Sequence, residues 1–257
     1  MSEVLVEARG SVLWMTINRP DKRNALSAGV VAGLGAAVRQ CADDPAIRVG
    51  VITGAGEKAF CAGADLDPAA APFQMDPSAA RMAYPDLLRA MIVCPKPIVA
   101  RINGACVAGG AGLVAAADIA IAAPHAQFGL PEAKVGVFPM MVAALLLERL
   151  GIGARAVSAL ALEAGMIDAG EAARLGIYTR VAQDLDAAID ASVALLLANS
   201  PTALRLGKRA LETMRGLGVE SALTFAEAQI KLVGLTQDAR EGVRAFGEKC
   251  KPNWSGQ

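Results

Sequence analysis

The 257-residue chain holds one histidine, His125, and only 4 % aromatic residues. A Ser–His nucleophile would have to use that one imidazole, and no G-x-S-x-G elbow accompanies it. Its place in Pro124-His125-Ala126, between two strand-like runs, is that of a solvated turn residue. The five cysteines (Cys41, Cys61, Cys94, Cys106, Cys250) are scattered and form no C-x-x-C pair, which points to reduced thiols rather than a disulfide frame or a zinc site. No metal ligand set is expected. Although 54 % of the residues are hydrophobic, no run approaches the ~18 apolar residues of a membrane span, so no membrane partner is expected. An excess of one charge is lacking too. Lys plus Arg number 25 and Asp plus Glu 25, which argues against a phosphate-neutralising surface and hence against nucleic acid. The opening MSEVLVEARG carries acids and no apolar core, so it does not read as a signal peptide, and a cytoplasmic protein is expected.

What is present is strand, helix and strand in alternation. Val4–Glu7 and Val12–Asn18 predict a hairpin turning at Arg9-Gly10. Ser27 caps a helix to about Cys41, Ile47–Thr53 reads as a buried strand, and Pro68 to Ser78 as a loop. A helix then runs towards Cys94, bent at Pro85. Pro97–Asn103, Ile119–Ala122 and Gln127-Phe128 are further strand pieces, an alternation that suggests α/β layering. From Pro139 onward the pattern is helical. Asp168 with Glu171 has capping-box spacing, Ser200-Pro201 is a cap followed by proline, and Thr236 starts a last helix, Gln237–Glu248. The expected layout is an α/β core over residues 1–195 and a helical region over 196–257, packed on the core or on a neighbouring subunit.

Three glycine-rich turns follow strands. Gly54-Ala55-Gly56-Glu57-Lys58-Ala59 matches G-x-G-x-x-A, which leaves an NAD-binding oxidoreductase as an outside reading; a dinucleotide fingerprint must then open an apolar helix, and here another glycine turn follows. Cys61-Ala62-Gly63-Ala64-Asp65-Leu66 and Val107-Ala108-Gly109-Gly110-Ala111-Gly112 instead expose backbone N–H groups. Two such donors converging on one oxygen make an oxyanion hole, while small residues also serve tight helix–strand packing.

Several motifs occur in order: Ile17-Asn18-Arg19-Pro20-Asp21-Lys22-Arg23-Asn24-Ala25-Leu26, Val51-Ile52-Thr53-Gly54, Ala59-Phe60-Cys61-Ala62-Gly63-Ala64-Asp65-Leu66, Lys96-Pro97-Ile98-Val99-Ala100, Ile102-Asn103-Gly104, Ala108-Gly109-Gly110, Ala117-Asp118-Ile119-Ala120-Ile121-Ala122, Ala126-Gln127-Phe128-Gly129-Leu130-Pro131-Glu132 and, last, Glu241 to Lys249. Together they resemble the crotonase superfamily, the enoyl-CoA hydratase/isomerase family. The resemblance implies a crotonase-like α/β fold, a spiral of ββα units with a helical C-terminal region. It implies an acyl-CoA thioester substrate, a homotrimer or dimer of trimers, and no cofactor beyond the coenzyme A carried by the substrate. It assigns the oxyanion donors to the N–H groups of Ala62 and Gly109. Ala62, Asp65 and Leu66 would border the coenzyme A path, Lys22 and Arg23 would meet its phosphates, and Phe246 and Lys249 would reach it across a subunit boundary.

Two-glutamate hydratases of the family carry a glutamate three residues after the oxyanion glycine. Here that position is Gly112. The second glutamate corresponds to Glu132, which is present. By this resemblance Glu132 handles the α proton and the water-activating acid is missing, a pattern suited to Δ3–Δ2 isomerisation or a specialised hydration. After Pro139, Met140 and Met141 stand where relatives often have small glycines, and this stretch is expected to shape the acyl pocket, or to pack a helix start. A non-catalytic binder of coenzyme A thioesters is the alternative.

Overall fold

Apolar runs of the chain assemble into two sheets. The structure is a computed structural model and describes residues 2–67 and 81–257; the expected Pro68 to Ser78 loop lies outside the described residues. Strands β1 (Val4–Arg9) and β2 (Val12–Ile17) form the expected hairpin, antiparallel in the register Val4↔Ile17 to Arg9↔Val12. Its turn uses Gly10 at φ 59°. Parallel to β2 follow β3 (Val49–Gly54), β5 (Ile98–Ile102), β7 (Ile119–Ala122) and β10 (Arg180–Val181), in the order β1-β2-β3-β5-β7-β10. Every residue of β3 is buried, as befits a central parallel strand covered on both faces. Successive side chains alternate between two cores. Ile52 joins the main one, and Val51 joins a second with Val99, Ile121, Leu185 and Ile189.

The second sheet is short: β4 (Ala59–Cys61), β6 (Ala105–Val107), β8 (Gln127–Gly129) and β9 (Met166–Asp168), with β8 and β9 antiparallel. It overturns the dinucleotide reading. The G-x-G-x-x-A turn runs from β3 into strand β4, so no helix N-terminus faces a pyrophosphate there.

Helix α1 (Ala28–Asp43) starts where Ser27 accepts a hydrogen bond from Val30 N. It packs against α2 (Ala83–Val93), which in turn meets α3 (Gly109–Ala116). Pro85 does not bend α2, because it sits in the first turn, where its missing N–H has no partner to lose. A 3-10 turn (Pro131–Val135) leads to α4 (Met140–Ala144) and a π-helical turn (Leu145–Arg149), then α5 (Ala154–Leu162) and α6 (Ala169–Arg174). The expected boundary at residue 195 falls inside α7 (Leu185–Ala198), which packs against β3, β5 and β7. The last helices are α8 (Pro201–Met214), α9 (Val219–Gly234) and α10 (Gln237–Glu248). Among the described residues no single helix is long and apolar enough to cross a membrane.

Helix α8 is bound to the core through Asp118, just before β7. Asp118 receives Lys208 Nζ at 2.7 Å, Arg149 at 3.3 Å and the Ile98 N–H at 2.8 Å. The Arg149 guanidinium also donates to the Ala115 and Ala117 carbonyls at the end of α3, each at 2.9 Å. One buried network thus fixes both α8 and the helix that begins at Gly109.

Candidate active site

The two glycine turns at the C-terminal ends of β4 and β6 lie against each other. A Cβ built on Gly63 would stand 2.6 Å from the Ala108 Cβ and 3.3 Å from the Gly109 nitrogen. That approach, with φ 85° at residue 63, admits only glycine. The turns are shaped by side-chain amides. Asn24 Nδ2 donates to the carbonyls of Ala59 at 2.7 Å and Ala55 at 3.0 Å, and Asn103 Nδ2 donates to Gly56 O at 2.5 Å. Both asparagines are buried; they act as scaffold for β4 and the turn before it.

One expected donor is corrected. The Ala62 N–H is already given to the Arg23 carbonyl at 3.1 Å and has no hydrogen left for an oxyanion. Two residues on, Leu26 bridges to Ala64: Leu26 N donates to Gly63 O and Asp65 N donates to Leu26 O. In such a parallel bridge the central residue's own N–H points the other way, and among the described residues the Ala64 N–H has no hydrogen-bond partner. Gly109 opens α3, so its N–H is one of the orphan donors at a helix N-terminus.

Gly112 is fully buried in the first turns of α3. The space a side chain would take there is filled. A Cβ on Gly112 would meet the Tyr84 hydroxyl at 2.1 Å, its Cζ at 3.3 Å and Val142 Cγ2 at 3.4 Å. The Tyr84 hydroxyl donates to the Gly109 carbonyl at 2.5 Å. Burial pushes the Tyr84 phenol well above its ordinary pKa, and Cys61, Cys106 and Glu132 add to the rise; it is a neutral donor. Glu132, in the 3-10 turn after β8, is half-buried, and its Oε2 is buried without a hydrogen-bond partner. Desolvation holds its pKa above the usual carboxylate range, against a lowering contact with its own backbone N–H. Tyr84, Gly109 and Gly112 therefore form one cluster, and the Glu132 charge acts on the Tyr84 phenol. Among the described residues no group of three or more His, Cys, Asp and Glu could hold a metal ion.

The other expected residues divide. The Asp65 carboxylate is held by Arg19 at 2.7 Å, which keeps it ionised, and its N–H is spent on Leu26. Leu66 is half-exposed and Lys22 exposed, with Lys22 Nζ 3.5 Å from Asp67. Arg23 lines an open cavity of about 590 Å³ with Lys58, Glu57, His125 and Gln127. Pro139 is buried and caps α4, while Met140 and Met141 are exposed, so Val142 is the residue of that stretch that faces Gly112. Phe246 is 88 % exposed and Lys249 ends α10, which packs on α8 and α9. Sequence reading missed Tyr84, Val142 and the Ala64 donor, whose places are set by packing and by the Leu26 bridge rather than by a local motif.

A two-sheet α/β fold with facing glycine turns and a helical C-terminal region is that of the crotonase-like proteins. Comparison with known proteins bears this out. The profile of the enoyl-CoA hydratase/isomerase family matches residues 7–257, and the chain belongs to that family. It is 35 % identical to the carnitinyl-CoA dehydratase of Escherichia coli over 100 % of both chains. It is 31 % identical to the crotonyl-CoA hydratase of Syntrophomonas wolfei, over 98 % of this chain and 97 % of that one. The crystal structure of an enoyl-CoA hydratase from Bacillus anthracis superposes with a TM-score of 0.90 at 31 % identity, covering 99 % of this chain and 100 % of that one.

Proposed function

We propose that the protein isomerises an enoyl-CoA by moving a proton from one carbon of the acyl chain to another, with Glu132 as the one acid–base group. The observation that carries this is the pairing of a buried, unpartnered Glu132 oxygen with a position 112 that has no side chain and no room for one. The thioester oxygen accepts from the Ala64 and Gly109 N–H groups. The Glu132 carboxylate takes a proton from the α carbon, and the electron pair of that C–H bond moves onto the thioester oxygen as an enolate. The Glu132 carboxylic acid then returns the proton to the γ carbon. The double bond passes from β,γ to α,β, and no water is consumed. Leu66, Lys22 and Arg23 border the coenzyme A moiety, which arrives as part of the substrate. Phe246 and Lys249 reach it from a neighbouring copy.

A second reading, hydration by Glu132 alone, is favoured by the names of the relatives, a crotonyl-CoA hydratase and a carnitinyl-CoA dehydratase. Conjugated-enoyl absorbance separates the two. A rise with 3-hexenoyl-CoA, lost in Glu132→Gln, supports isomerisation; a fall with crotonyl-CoA supports hydration. Binding of both thioesters with turnover of neither identifies a non-catalytic binder.

A further inference from the structure

We propose that Tyr84 is a specificity-determining residue of this site: its hydroxyl occupies the place of a second acid and keeps the catalysed exchange between Glu132 and the acyl chain. This rests on the functional reading above. The geometry is specific. The hydroxyl lies 2.1 Å from where a Cβ on Gly112 would stand, too close for any side chain there while the tyrosine stays. It is not free to leave without loss, since it donates to the Gly109 carbonyl at 2.5 Å, on the first residue of α3. The two residues that define this plug come from helices α2 and α3, which pack together, and Val142 of α4 closes the third side at 3.4 Å.

The chemistry follows from the group. A neutral phenol whose proton is committed to a carbonyl cannot deprotonate water, as a carboxylate at 112 would. It also fills the volume of about one water molecule beside the oxyanion glycine. With water barred from that wall, the proton on Glu132 has one destination, the acyl chain. Tyrosine at 84 and glycine at 112 are thus a matched pair.

The test compares the ratio of crotonyl-CoA hydration to 3-hexenoyl-CoA isomerisation in wild type, Tyr84→Phe and the double variant Tyr84→Ala/Gly112→Glu. Phenylalanine keeps the ring and removes the plugging oxygen. The ratio is expected to rise about tenfold in Tyr84→Phe and by about 10²-fold in the double variant, which restores a second acid. Gly112→Glu alone is expected to lower Tm and to gain no hydration, and adding Tyr84→Ala to restore the Tm. An unmoved ratio in Tyr84→Phe, with wild-type isomerisation intact, overturns the role of Tyr84 and leaves the functional reading standing. A Gly112→Glu variant as stable as wild type and already hydrating overturns the matched pair. A wild type that neither binds nor turns over either thioester overturns the functional reading, and this inference with it.

Discussion

At position 132 a carboxyl is held in surroundings that disfavour its charge, and activity and stability then respond to pH in opposite senses. Its raised pKa means the base form appears only above the ordinary carboxylate value of about 4.3. Isomerisation should therefore fall on the acid side with a midpoint above that value, and the acid limb should vanish with the activity in Glu132→Gln, whose rate should drop about 10²–10⁴-fold. For stability, a carboxyl whose folded pKa exceeds its unfolded one favours folding below the unfolded pKa and loses that contribution as pH rises through the folded value. Glu132→Gln should thus be at least as stable as wild type at about pH 8, read as Tm in a thermal melt. Gly63 gives the opposite case. Gly63→Ala places a Cβ 2.6 Å from that of Ala108 at φ 85° and should cost about 1–3 kcal/mol in denaturant unfolding. Glycines at both turns were legible as bare backbone. Which N–H was left free was not: Ala62 and Ala64 look alike in sequence, and only the Leu26 bridge decides between them. Tyr84 was out of reach for a related reason, since its partner Gly109 lies 25 residues away and joins it through helix packing.

Elements carried by local chemistry were the most legible. Ser27, Asp168, Ser200 and Thr236 each accept the expected N–H at the start of α1, α6, α8 and α10, because a cap needs only its own first turn. The small sheet was harder to see. Its strands β4, β6 and β8 have three residues each, too short to show a period, and they exist because they pair with one another. The tie between α8 and the core is also non-local, and it makes a prediction at this scale. Asp118→Ala leaves the buried Arg149 and the nearly buried Lys208 without their shared carboxylate. Removing one partner of a buried pair typically costs about 3–5 kcal/mol, so the variant should unfold at clearly lower denaturant. Because Arg149 also holds the last carbonyls of α3, the variant's KM for a thioester should rise while the folded fraction is still high.

For the molecule as a whole, the apolar surface is unevenly placed. Helix α9 has no buried residue, yet Val219, Leu223 and Ile230, which fall on one side of it, stand exposed, with Phe246 on the adjacent α10. Such a face calls for a partner, and closed symmetric assembly of like copies is the common solution. Light scattering on the eluted peak should give a trimer or a dimer of trimers; a monomer at micromolar concentration contradicts this and removes the proposed route of Phe246 and Lys249 to a substrate. The C-terminal segment adds an acid-sensitive clasp. Burial alone would raise the Asp238 carboxyl, but hydrogen bonds from Ser200, Gly256 and Ser255 outweigh it and bring its pKa down to about 2. Its contribution is present above the unfolded pKa and is lost as pH falls through the folded one, so Asp238→Asn should weaken the protein at neutral pH and narrow its difference from wild type by about pH 2.

In the proposed reaction one carboxylate beside two backbone donors makes and quenches a thioester enolate. The most direct measurement needs no knowledge of the natural acyl chain: exchange of the α protons of butyryl-CoA for deuterium in D2O, followed by mass spectrometry. Exchange by the wild type, lost in Glu132→Gln, is the predicted result. Absence of exchange despite thioester binding, or exchange that survives in Glu132→Gln, would show that Glu132 does not form the enolate.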